Sequence, residues 1–198
     1  MKPLAVRHRY SFADYIDLEE ASNVRHEYFQ GEIYAIAGGT PDHAALCLAF
    51  GAELRDKLTG SQCRAFSADL RIRVLASGMA TYPDVSVVCG PLERDPDSRT
   101  TVTNPILLVE VLSPGTEAYD RGDKFEIYKQ LPSLKEYVLV SFREPAIEVW
   151  RRTDSGDWTR EEARVGGRVR LTSVGCEVSV DDVYRGGLED AKDAKGAK

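Results

Sequence analysis

With 198 residues, 42% of them hydrophobic and 9% aromatic, the chain can close one good-sized core, and a single domain is the natural expectation. Lys and Arg total 26 against 32 Asp and Glu, a formal charge of -6 with no long basic block; this counts against avid, nonspecific coating of DNA but leaves room for a locally positive cleft. Four cysteines without a Cys-x-x-Cys pair, beside three histidines, count against a zinc ribbon. Cys47 and Cys89 sit among apolar neighbours and read as small core residues in a reducing cytosol, although an even count permits disulfides were the chain secreted. Lys2, Arg7, His8 and Arg9 break the first ten residues, and no apolar run approaches bilayer length, so the expected location is soluble and cytoplasmic, with no membrane partner.

Ser11 can cap a short helix through Leu18. His26 to Phe29 and Ile33 to Ile36 flank Gln30-Gly31-Glu32, a hairpin turning at the glycine. Thr40 and Pro41 open a helix of four turns through Leu46, Phe50, Leu54 and Leu58, closed near Gly60. Leu70-Arg71-Ile72-Arg73-Val74 alternates, which predicts a half-buried strand with Leu70, Ile72 and Val74 on the core and both arginines facing away. Pro91 to Asn104 reads as a polar loop, and Tyr119 to Leu131 as one helix with Phe125, Tyr128 and Leu131 on a stripe, stopped by Pro132. A strand follows at Glu136 to Val140. Ile147 to Trp150, Trp158 to Glu161 and Val169 to Leu171 then read as an antiparallel β appendage whose exposed apolar edges favour a homodimer or higher oligomer. The expected domain covers residues 1–185, and 186–198 a disordered tail.

Two strands are nearly continuous apolar runs, as expected when both faces are covered, and each carries an acid. Asp84 follows Pro83 at the mouth of Val85-Ser86-Val87-Val88, and Glu110 lies inside Leu107-Leu108-Val109-Glu110-Val111-Leu112. Removing an ionised carboxylate from water costs several kcal/mol unless it is paired or binds a cation, so folding alone gives little reason for Glu110. Lys124 stands at the border of the following helix's apolar stripe, from where its stem can carry the ammonium towards the acids.

The ordered set Tyr82-Pro83-Asp84, Leu108-Val109-Glu110-Val111-Leu112-Ser113-Pro114, Asp120 through Lys124 to Tyr128, and Glu136-Tyr137 resembles the Uma2 (DUF820) group of the PD-(D/E)XK restriction-endonuclease-like superfamily, over roughly Phe12 to Tyr184. The superfamily lysine two residues after the strand glutamate is here Leu112, and Lys124 is the matching residue on the next helix. The resemblance implies an α/β restriction-endonuclease-like core, a mixed sheet flanked by helices, with the N-terminal hairpin and C-terminal β appendage added. It also implies a metal-dependent DNA endonuclease with Asp84, Glu110 and Lys124 catalytic. Mg²⁺, for which Mn²⁺ can substitute, would be held by Asp84, Glu110 and the Val111 backbone carbonyl. Glu27, Glu32 and Asp69 are possible auxiliary acids. His43 is a further possible auxiliary residue: it lies in the first turn of the Thr40-capped helix, where the dipole disfavours protonation, and suits a neutral hydrogen-bonding role near phosphate. The rival class is a non-catalytic nucleic-acid-binding or assembly module on the same architecture.

Overall fold

The computed structural model describes residues 9–188. Ser11 caps α1 (Phe12–Ala21) through a reciprocal box with Asp14. The hairpin β1 (His26–Phe29) and β2 (Glu32–Ala35) turns at Gln30-Gly31, both at positive φ, 50° and 85°, a geometry whose twist matches the flanking strands. A side chain at Gly31 would also press its Cβ to 2.9 Å from that of Arg9. Thr40 accepts from the His43 N–H and Pro41 starts α2 (Pro41–Lys57).

The chain continues through β3 (Cys63–Ser67), β4 (Arg71–Val74), β5 (Met79–Thr81), β6 (Val85–Cys89), β7 (Arg94–Asp95), β8 (Ser98–Val102) and β9 (Leu107–Val111). Next come α3 (Glu117–Arg121), α4 (Asp123–Tyr128), β10 (Glu136–Val140), β11 (Ala146–Arg152), β12 (Trp158–Arg164), β13 (Arg168–Leu171), β14 (Cys176–Ser179) and α5 (Val180–Val183). The main sheet runs β12-β11-β10-β9-β6-β3, with β9 and β10 parallel and the other neighbours antiparallel. A second sheet runs β2-β1-β5-β4-β8-β7, and β13 pairs with β14 alone.

The alternation of β9 explains how these layers close. Leu107, Val109 and Val111 join Leu46, Phe50 and Leu54 of α2, together with α5 and the β13–β14 ribbon, on one face. Leu108 and Leu112 meet Phe125, Ile127 and Tyr128 of α4, and Ile72, Val74 and Met79 of the second sheet, on the other. Tyr15 and Ile16 of α1 pack with Tyr28 and Ala80 on the second sheet. No described helix is long and apolar enough to cross a membrane.

Several expectations are corrected. The arginines of β4 do not face solvent, because α1 covers them: Arg71 is 4% exposed over the Tyr15 ring, and the Arg73 guanidinium lies over Phe12. The polar stretch from Pro91 to Asn104 contains the β7–β8 hairpin. Its Ser98, Thr100 and Thr101 hydroxyls accept from Arg71, so a polar strand is what this buried cation requires. Gly122, at ψ -106°, divides the expected helix into α3 and α4. The appendage shrinks to β13–β14 with α5, since β11 and β12 extend the main sheet. That sheet's β12 edge is charged rather than apolar, with Arg160 and Arg164 paired to Glu162. Cys89 is not a reduced core residue: register sets it opposite Cys63, and their sulfurs are bonded. Of the expected tail, Leu188 is buried in the α2-side core, and 189–198 lie outside the described residues.

Candidate active site

Glu110 projects from β9 towards α4 and is 4% exposed. The antiparallel β6–β9 register pairs Val85 with Val109, and one step further it sets Asp84 opposite Glu110. Asp84 Oδ2 accepts from the Val111 N–H at 2.7 Å, which ties the entry of β6 to the end of β9. Lys124 is buried in the first turn of α4, with Nζ 2.9 Å from Glu110 Oε1, 3.4 Å from Asp120 Oδ1 and 3.8 Å from Glu27 Oε1. One turn later Tyr128 donates to the same Glu110 oxygen at 2.8 Å, so the i, i+4 spacing brings a cation and a hydroxyl to one carboxylate. Glu27 also accepts from Thr81.

Burial pushes the Glu110 carboxyl up, Lys124 pulls it down, and Asp84 and Asp120 push it up again, to about 8. Burial alone would lower the Lys124 amine, but Glu110, Glu27 and Asp120 outweigh it and hold it well above its ordinary value. Lys124 is therefore a fixed cation at neutral pH. Were every acid ionised, Glu27, Asp84, Glu110 and Asp120 would carry four negative charges against one on Lys124, a residue of -3 in a poorly hydrated place. That surplus, set among carboxylate oxygens, suits a hard divalent cation.

His43 joins the cluster from α2, with Nε2 3.4 Å from Asp84 Oδ2 and Nδ1 3.5 Å from Cys47 Sγ. Against the expected effect of the helix dipole, the hydrogen bond with Asp84 outweighs burial and raises the His43 pKa. Burial, then the Asp84 charge, pushes the Cys47 thiol up. Structure thus brings Asp84, Glu110, Lys124, Glu27 and His43 together. Glu32 is engaged by Tyr34 within the hairpin, and Asp69, largely exposed, pairs with Arg25 and Ser67. Sequence reasoning did not assign Asp120, Tyr128 or Cys47 to the site, although Asp120–Lys124–Tyr128 and His43–Cys47 each show the four-residue spacing of a shared helix face.

The fold is that of a restriction-endonuclease-like α/β protein. A crystal structure from Anabaena variabilis, described as a putative nuclease belonging to DUF820, matches with a TM-score of 0.67 over 83% of this chain and 92% of that one, at 18% identity. The chain belongs to the Uma2 family, whose model, described as "Putative restriction endonuclease", matches residues 12–180. Two uncharacterized Synechocystis proteins are similar along most of their length. One, slr1290, is 40% identical over 173 residues, 87% of this chain and 90% of its own. The other, sll1609, is 31% identical over 150 residues, 76% of this chain and 85% of its own.

Proposed function

We propose that the protein is a metal-dependent endonuclease that hydrolyses phosphodiester bonds of DNA. Asp84, Glu110 and the Val111 carbonyl would hold Mg²⁺, with Mn²⁺ able to replace it. The observation that carries this reading is the opposition of Asp84 and Glu110 on paired strands, with the Lys124 ammonium against Glu110. The family description and that of the Anabaena structure point the same way.

Bound Mg²⁺ supplies Lewis-acid charge for activating water and for the phosphoryl oxygens. The chain's own residues do the rest. Asp84 is oriented by the Val111 N–H, and Glu110 by Tyr128, so the two carboxylates are held before any ion arrives. Lys124 keeps its proton too firmly to serve as a general base. It contributes positive charge where negative charge develops on the phosphate, and Glu27 and Asp120 hold it there.

Supercoiled plasmid incubated with Mg²⁺ or Mn²⁺ tests this. Wild type should nick the DNA, and Asp84→Asn should lose more than about 100-fold in rate, beyond what loss of a supporting partner costs. Equal nicking by both proteins would end the reading. Titration calorimetry with Mn²⁺ adds a second arm: heat in wild type that vanishes in Glu110→Ala supports the enzyme, and silence in both makes the chain a non-catalytic module.

A further inference from the structure

Asp84 stands between two different sets of donors. Towards Glu110 its neighbours are a carboxylate and the Val111 N–H, whereas towards α2 they are an imidazole and a thiol. One ligand atom each from His43, Cys47 and Asp84 lie within 4.8 Å of one another. We propose that His43, Cys47 and Asp84 form a second, thiophilic cation site, specific for Zn²⁺ or similar transition ions, that shares Asp84 with the oxygen-lined site.

The argument is geometric and chemical. Tetrahedral coordination with Zn–S near 2.3 Å and Zn–N or Zn–O near 2.1 Å sets donor atoms roughly 3.3–3.7 Å apart. The His43–Asp84 contact, 3.4 Å through Nε2, has that size, whereas the 3.5 Å His43–Cys47 contact runs through Nδ1, and the three ligand atoms together lie within 4.8 Å. Rotation of the imidazole, with closure of about 1 Å, would bring one nitrogen to a shared centre. His43 and Cys47 are one turn apart on a capped seventeen-residue helix, so their spacing is fixed by rigid backbone. Cys47 and Asp84 also line a groove of about 490 Å³ between α2 and β3, which leaves a fourth position for water. Thiolate and imidazole select Zn²⁺ over Mg²⁺, and binding releases the thiol proton to solvent. Zn²⁺ would draw Asp84 away from Glu110. The resulting inhibition of cleavage rests on the proposed nuclease reading, whereas the site itself does not.

The metal-free full chain titrated with Co²⁺ provides the test, since a cobalt–thiolate bond gives a charge-transfer band in the near ultraviolet whether or not DNA is cut. Wild type and Cys176→Ser should show the band, Zn²⁺ should bleach it, and Cys47→Ser should lose it. Zn²⁺ should also protect Cys47 from alkylation, read by peptide mass, in the unmutated protein. Absence of the band at saturating Co²⁺, its survival in Cys47→Ser, or unprotected Cys47 overturns the proposal. In nicking assays Zn²⁺ should inhibit wild type and Cys176→Ser alike. A cobalt band in a protein that never cuts DNA would keep the site and remove the nuclease.

Discussion

Glu110 and Glu136 show why a buried acid must be judged by its partners. Both lie in apolar strands, but Glu136, fully buried, receives Arg151 together with the backbone and hydroxyl groups of Thr172 and Ser173. Protein donors satisfy it. Glu110 meets Lys124 and Tyr128 amid three further acids, and these donors do not offset its burial, which still holds its pKa up at about 8. Lys124 is accordingly central to folding without metal: in EDTA, Lys124→Met should lower stability by about 3 kcal/mol, the cost of stranding buried carboxylates, read as a shift in urea midpoint. A change within error would show that the carboxylates are hydrated. The acids and the lysine were legible in sequence because a charge in an apolar strand or helix stripe stands out. Asp120 and Tyr128 were not, since a helical acid or tyrosine has many ordinary uses until the fold shows what it faces.

Among elements, short buried ones were harder to read than long periodic ones. α2 and the β1–β2 hairpin match their sequence signals because caps and turn residues act locally. β8 was hidden because its hydroxyl side chains answer to Arg71, thirty residues earlier in the chain. The break between α3 and α4 was likewise hidden, as one glycine does not announce itself against a continuing apolar stripe. α3 is tied to the main sheet by Arg121, 2.7 Å from Glu148 Oε1, while Arg160 binds the other oxygen at 2.6 Å. Burial pushes the Glu148 carboxyl up, but the two arginines outweigh it and depress its pKa below 4.5. A depressed folded-state pKa means stability that is present above the unfolded value and lost as pH falls through the folded one. Urea midpoints should therefore drop on acidification below about pH 4.5. Glu148→Gln should flatten that limb, and an unchanged slope would place the acid transition elsewhere.

At the scale of the whole molecule, two distant ties close the structure. The Cys63–Cys89 bridge spans 26 residues, a loop whose closure removes about 3 kcal/mol of unfolded-state freedom. Reduction should lower the urea midpoint accordingly, and Cys63→Ala should match the reduced wild type. At the other end Leu188 fills part of the α2-side core, so a chain ending at Arg185 should be about 2 kcal/mol less stable than one ending at Leu188. Equal melting of the two would leave this leucine without weight. Composition allowed a disulfide but assigned no pair, and gave no sign of the Leu188 contact, because pairing of the cysteines and docking of the last turn depend on register and on what lies across the sheet.

Glu136 has a wider consequence. It lies opposite Leu107, three rungs along the parallel pair from Glu110, and it follows Val138 and Val140 onto the α2 side while Glu110 points to α4. A carboxylate that anchors the terminal ribbon is thus insulated from the charges around Lys124 by the thickness of a sheet and roughly 10 Å of strand. Changes in the ribbon's length or composition can then be made without retuning the acid cluster.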